Sequence, residues 1–192
     1  MAYFRGGARR VALNLPHGFR FDPTDNEVLI YLRKNILDQQ LPANVIPTAD
    51  VYGTKPDELP FCEFKHGDES YWFFFTTKPN GNLVTEDGYW SPIIDAGIID
   101  GNKLVGFKQH LVFYQGNFLS GTKTRWNIYE YRVNPSTFTA AELNDVVKQK
   151  MSNLVVCKIF LVKDDPFTDF DGEIDEDDGS EKEEAADPSN KA

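Results

Sequence analysis

The sequence predicts an α+β domain, an antiparallel sheet with helices on its flanks. Three observations lead there. From residue 69 onward, runs rich in aromatic and β-branched residues alternate with turn signals. A capped amphipathic helical pattern precedes them, over residues 24–40. A weaker helical pattern at Thr139–Met151 stands before the last apolar run.

Taken in order, residues 1–14 read as a flexible N-terminal arm, residues 15–163 as one domain and residues 164–192 as an acidic tail. Thr24-Asp25-Asn26-Glu27 fits a capping box, in which the Thr24 hydroxyl and the Glu27 carboxylate satisfy the first helical N–H groups. The helix that follows runs to about Gln40, with Val28, Leu29, Leu32, Ile36 and Leu37 mainly on one face, and Pro42 lies just beyond its end. Residues 41–60 are rich in turn residues, with room for one helical turn at Lys55–Leu59. Glu69–Thr76 reads as a buried aromatic strand, and Pro79-Asn80-Gly81 as the turn after it. Gly88-Tyr89-Trp90 starts a short strand. Lys103–Gln115 and Lys123–Val133 are long strands forming a hairpin, the second with side chains alternating between an apolar and a polar face. Leu143, Val146 and Val147 mark the inward side of the 139–151 helix, and Leu154–Val162 is a final strand that turns Cys157 inward.

Composition narrows the function classes. Of the 192 residues, 41% are hydrophobic and 14% aromatic, enough to fill a core, so disorder along the whole chain is excluded. Two cysteines, Cys62 and Cys157, supply neither a disulfide framework nor, with only three histidines and no CxxC, a four-ligand zinc site. No apolar run approaches the roughly 18 residues of a membrane span. No dinucleotide, phosphate-loop, zinc-protease or nucleophile-elbow motif is present, and no pair of carboxylates is singled out by spacing. The expectation is therefore no enzyme, no catalytic residue, no metal, no cofactor and no small-molecule substrate.

The formal net charge of −10 is unevenly spread. Residues 164–192 carry −11 and, with almost no apolar residues, read as disordered; residues 1–163 carry +1. Within the latter, residues 51–100 carry −6 and residues 101–163 carry +6. Bulk acidity thus does not exclude a polyanion as partner.

Five segments carry a further signature. Leu15–Glu27 (LPHGFRFDPTDNE) resembles the opening of the plant NAC domain, and Tyr71–Phe75, Pro79-Asn80-Gly81 and Gly88-Tyr89-Trp90 are similar to its WYFF…PNG…GYW region. Leu104–Gly116, then Gly121–Trp126 with Tyr129–Val133, and finally Val155–Phe160 resemble the later segments of the same family, in the same order. The resemblance implies a twisted antiparallel β-sheet packed between helices, a DNA-binding regulator of transcription located in the nucleus, and a homodimer or a heterodimer with other NAC-type proteins. It places double-stranded DNA near Lys78, Trp90, Ser91, Lys108, Lys123 and Arg125, with Arg132 a further candidate cation. It places dimerisation at Leu15, Arg20, Thr24 and Glu27, where an Arg20–Glu27 pair would bridge protomers. An exposed pair contributes little, so apolar contacts near Leu15 would carry such a dimer.

The pattern breaks in one region. Where the family strand reads roughly WKATGKD and enters the major groove, this chain has Trp90-Ser91-Pro92-Ile93-Ile94-Asp95-Ala96-Gly97. Ser91 replaces a lysine, Pro92 removes an N–H and Asp95 adds a negative charge; the loop before it holds Glu86 and Asp87 in place of arginines. Each lost phosphate contact lowers affinity and its salt dependence. Two readings stay open: a DNA-binding NAC-type regulator, or a NAC-fold dimerisation module with weakened or lost specific DNA binding that modulates active relatives.

Overall fold

Helix α1 (Asp25–Ile36) starts where the capping box places it: the Glu27 N–H donates to the Thr24 hydroxyl at 3.3 Å, and the Glu27 carboxylate accepts from the Thr24 N–H at 2.8 Å. It ends at Ile36, short of Gln40, because Asp38 takes a left-handed conformation with φ of 53°. The Asp38 and Gln39 N–H groups then close onto Asn35 and Lys34 carbonyls, a stop that Asp tolerates almost as glycine does. Val28, Leu29, Tyr31, Leu32 and Ile36 are its buried face. A computed structural model of the chain describes residues 20–67 and 70–163. The expected arm, Leu15 and the acidic tail lie outside the described residues.

Five strands form one antiparallel sheet: β1 (Tyr71–Thr77), β2 (Gly88–Asp100), β3 (Lys103–Gln115), β4 (Thr122–Val133) and β5 (Leu154–Leu161). Their order is β1-β5-β4-β3-β2, so β2 is an edge strand. Gly101, with φ of 58°, turns β2 into β3. Helix α2 (Asp145–Asn153) packs beside α1 and leads into β5, which inserts between β1 and β4.

Both faces of the sheet are covered. Phe73, Phe75, Tyr131, Val133 and Val156 pack with α1 and with Val147 of α2. Their neighbours in the alternation, Phe74, Ile128, Val155, Cys157 and Ile159, pack on the opposite side with Val51, Tyr52 and Leu59. That second face is thus closed by residues 49–61, a stretch that holds the 3-10 turn Pro56–Glu58 and enters a second, Phe61–Glu63, and both α-helices share the first face. A side chain at Gly106 would meet the Leu29 side chain at 2.5 Å, so glycine lets α1 lie close on β3.

Three expectations change. The strand opened by Gly88-Tyr89-Trp90 is not short: it runs 13 residues through Pro92. Proline is tolerated because an edge strand needs no donor on its outer side, and the β2–β3 register slips between Pro92 and Ile94. The 139–151 helix begins only at Asp145, where the Asn144 side chain accepts from the Val147 N–H at 2.9 Å; Val146 is 58% exposed, not inward, and Leu143 precedes the helix. In β4 the alternation does not divide core from solvent, since Asn127, Ile128, Glu130 and Tyr131 are all buried. Among the described residues, no helix is long and apolar enough to cross a membrane.

Candidate nucleic-acid interface

The outer edge of β2 is paired at its start, where the Trp90 N–H donates to the Leu83 carbonyl at 2.8 Å, and exposed along its middle. Residues 92–97 are all exposed, including Ile93 and Ile94, while Tyr89 and Trp90 just before them are buried. No lysine or arginine occurs over Gly88–Asp100. The one acid in the middle, Asp95, is held by the Arg132 guanidinium at 2.6 Å. In the preceding loop, Asp87 pairs with Lys55.

Register brings the candidates into rows across the helix-bearing face. Tyr89, Tyr114 and Lys123 form one row at the end of the sheet farthest from α1. Ser91, Val112, Asn127, Phe160 and Tyr71 form the next, and Ile94, His110, Tyr129, Lys158 and Phe73 the one after. The aromatic rings are braced: Tyr89 stacks on Tyr114 at 5.3 Å and on Phe118 at 4.1 Å, and Tyr129 meets Phe160 at 4.8 Å. His110 Nε2 lies 2.7 Å from Asn127 Oδ1. Lys158 is half-buried beside this row, and burial holds its ammonium below the usual lysine range.

The candidates named for DNA separate into two groups. Lys123 and Arg125 are exposed at the start of β4, with Ser91 two strands away on the same end of the sheet. Lys78, Lys108 and Trp90 have structural surroundings. Lys78 Nζ reaches the buried Glu130 carboxylate at 2.8 Å and the Gln109 side chain at 3.3 Å. Lys108 Nζ lies 3.0 Å from both Asp25 oxygens and 4.3 Å from the Tyr129 ring centre. Tyr131 donates to the same Asp25 at 2.7 Å. Trp90 packs on Phe113 in the second core.

The dimerisation candidates also divide. Thr24 and Glu27 form the cap, and hydrogen bonds from the Thr24 N–H and hydroxyl hold the Glu27 carboxyl below the usual carboxylate range. Arg20, Phe21, Glu27, Ile30, Tyr31 and Pro42 line one open cleft of about 370 Å³ beside α1, and Ile30 exposes half of its surface there.

Sequence reading missed the cluster of His110, Tyr129, Phe160 and Lys158 in the middle of the sheet. The signal was a lysine and two aromatics at sheet-facing positions of strands otherwise read as core.

Residues 16–133 match the family model described as No apical meristem (NAM) protein. The chain belongs to the NAC family. It is 39% identical over 159 residues to NAC domain-containing protein 2 of Solanum lycopersicum, covering 78% of this chain and 56% of that protein. It is 41% identical over 164 residues to NAC domain-containing protein 41 of Arabidopsis thaliana, covering 80% and 57%. It is 36% identical over 155 residues to NAC transcription factor 29 of Arabidopsis thaliana, covering 76% and 56%. The chain thus spans a little over half the length of these NAC relatives.

Proposed function

We propose that this NAC-family chain is a transcription regulator that acts in the nucleus, dimerises through the Arg20–Glu27 cleft and binds double-stranded DNA with the open end of its sheet. The observation that carries the reading is the row Tyr89–Tyr114–Lys123, which sets an exposed lysine two strands in from the edge strand β2, in a chain that matches the family over most of its length. Lys123 and Arg125 bind phosphates, and β2 approaches the groove as a strand does. Lys78 and Lys108 serve the fold, by holding Glu130 and Asp25. Titrating the full chain at low salt with a duplex recognised by a NAC relative, against a scrambled duplex, tests this; equal affinity for both overturns sequence-specific recognition.

A second reading, a NAC-fold dimerisation module that modulates active relatives, is favoured by β2 itself. The strand has no cation over 13 residues, and its exposed side chains include Ile93 and Ile94. Co-purification with a NAC relative, together with no preference for its site, is the outcome that selects it.

A further inference from the structure

The cation paired with the middle of β2 comes from two strands away. Arg132 of β4 crosses β3, with its guanidinium 5.4 Å from the centre of the Phe107 ring, and Nη2 donates to Asp95 Oδ2 at 2.6 Å. Register explains the reach: Gly97, Phe107 and Arg132 form one row across β2, β3 and β4, and Asp95, Gln109 and Glu130 form the neighbouring row on the same face. The side chains of Asp95 and Arg132 are 45% and 35% exposed, so both can meet a ligand. On its inner side Arg132 is only loosely engaged. Its Nε lies 3.4 Å from Glu130 Oε1 and makes no hydrogen bond, while Lys78 reaches the same oxygen at 2.8 Å and Tyr52 donates to the other. Lys108, in register with Ala96, is held by Asp25.

We propose that Asp95 is an autoinhibitory latch on Arg132: the ion pair withholds the guanidinium from the phosphates of a duplex at β2. The latch deepens the DNA-binding reading above and rests on it. With the pair closed, carboxylate and guanidinium cancel, and β2 has no lysine or arginine of its own to offer a phosphate. A guanidinium gives a phosphate two parallel N–H bonds, and the Asp95 carboxylate occupies one of the same donors. Part-exposed ion pairs are weak, so the pair opens without disturbing the fold. Glu130 keeps Lys78 and Tyr52 when it does, and the Phe107 ring keeps the freed guanidinium at the strand edge.

The test uses the full chain, a duplex recognised by a NAC relative, and salt from about 50 to 300 mM. Asp95→Asn, which keeps the shape of the side chain, is expected to bind about tenfold more tightly at the lowest salt, with the slope of log affinity against log salt steeper by about 0.9. Adding Arg132→Gln is expected to remove the gain, whereas Arg132→Gln alone changes affinity by less than about twofold. A gain that survives Arg132→Gln overturns the latch, because lost repulsion from an acid then explains the whole effect. Should Arg132→Gln not fold, the Arg132 Nε–H resonance decides. It is expected to shift when duplex is added to Asp95→Asn and not when added to wild type; equal shifts in both, or none in either, overturn the latch. If neither wild type nor Asp95→Asn binds duplex, the DNA reading falls and takes the latch with it. Wild-type binding with no gain in Asp95→Asn sinks the latch alone.

Discussion

Lys78, at the end of β1, neutralises Glu130 in the middle of β4: Nζ lies 2.8 Å from Oε1, and the Glu130 side chain is completely shielded from water. Tyr52 donates to the other carboxylate oxygen, and Arg132 Nε is 3.4 Å away. Removing the closer cation leaves the buried Glu130 with only the more distant Arg132, so Lys78→Met is expected to lower unfolding free energy by about 3 kcal/mol. Denaturant titration measures it. Adding Glu130→Gln is expected to recover part of the loss, and no recovery in the double variant contradicts the pairing.

The two thiols differ in reach. Cys62 is exposed, while Cys157 is fully buried against Tyr52, and burial pushes its thiol well up. Ellman titration of the native chain is expected to find one fast thiol, and two after denaturation. Two fast thiols in the native chain would place Cys157 wrongly.

Stability should be flat near neutral pH and fall on both sides. Hydrogen bonds from the Thr24 and Thr139 N–H groups hold the Glu27 and Glu142 carboxyls below their usual 4.5. Groups with a lowered folded value stabilise above the unfolded value and lose that contribution as pH drops through the folded one. Burial raises the Tyr52, Tyr131 and Cys157 groups, whose ordinary values are 10.0, 10.0 and 9.0. Their contribution is complete below those ordinary values and declines as pH climbs beyond them. Melting temperature against pH checks both limbs. Glu27→Gln, which can still cap, is expected to flatten the acid limb with little change at pH 7.

For the dimer, Arg20→Glu sets like charges together in the cleft while leaving the Thr24 cap intact. Sedimentation is expected to show a dissociation constant raised about tenfold or more. An unchanged constant removes Arg20 from the interface.

Much of this was legible in the chain before its fold. Lys103–Gln115 is a strand with those bounds, and the Thr24–Glu27 cap forms as read, because both signals are local. What was not legible depends on tertiary cover. The alternation across Tyr129-Glu130-Tyr131 suggested a polar face, yet Tyr52 lies over Glu130 and donates to it. Its partner Lys78 is 52 residues away, so no spacing connects them and Lys78 read as a phosphate contact. The strand opened by Gly88-Tyr89-Trp90 read as short, and only the edge position of β2 lets it run on through Pro92.

The central claim concerns Lys123, and the salt dependence of duplex binding tests it most directly. Affinity of the full chain is measured across about 50–300 mM salt, for wild type and for Lys123→Ala. The predicted result is weaker binding by the variant on every sequence, with the slope of log affinity against log salt reduced by about 0.9. Equal slopes for the two chains would contradict a phosphate contact at Lys123 and, with it, the sheet end as the DNA-binding surface.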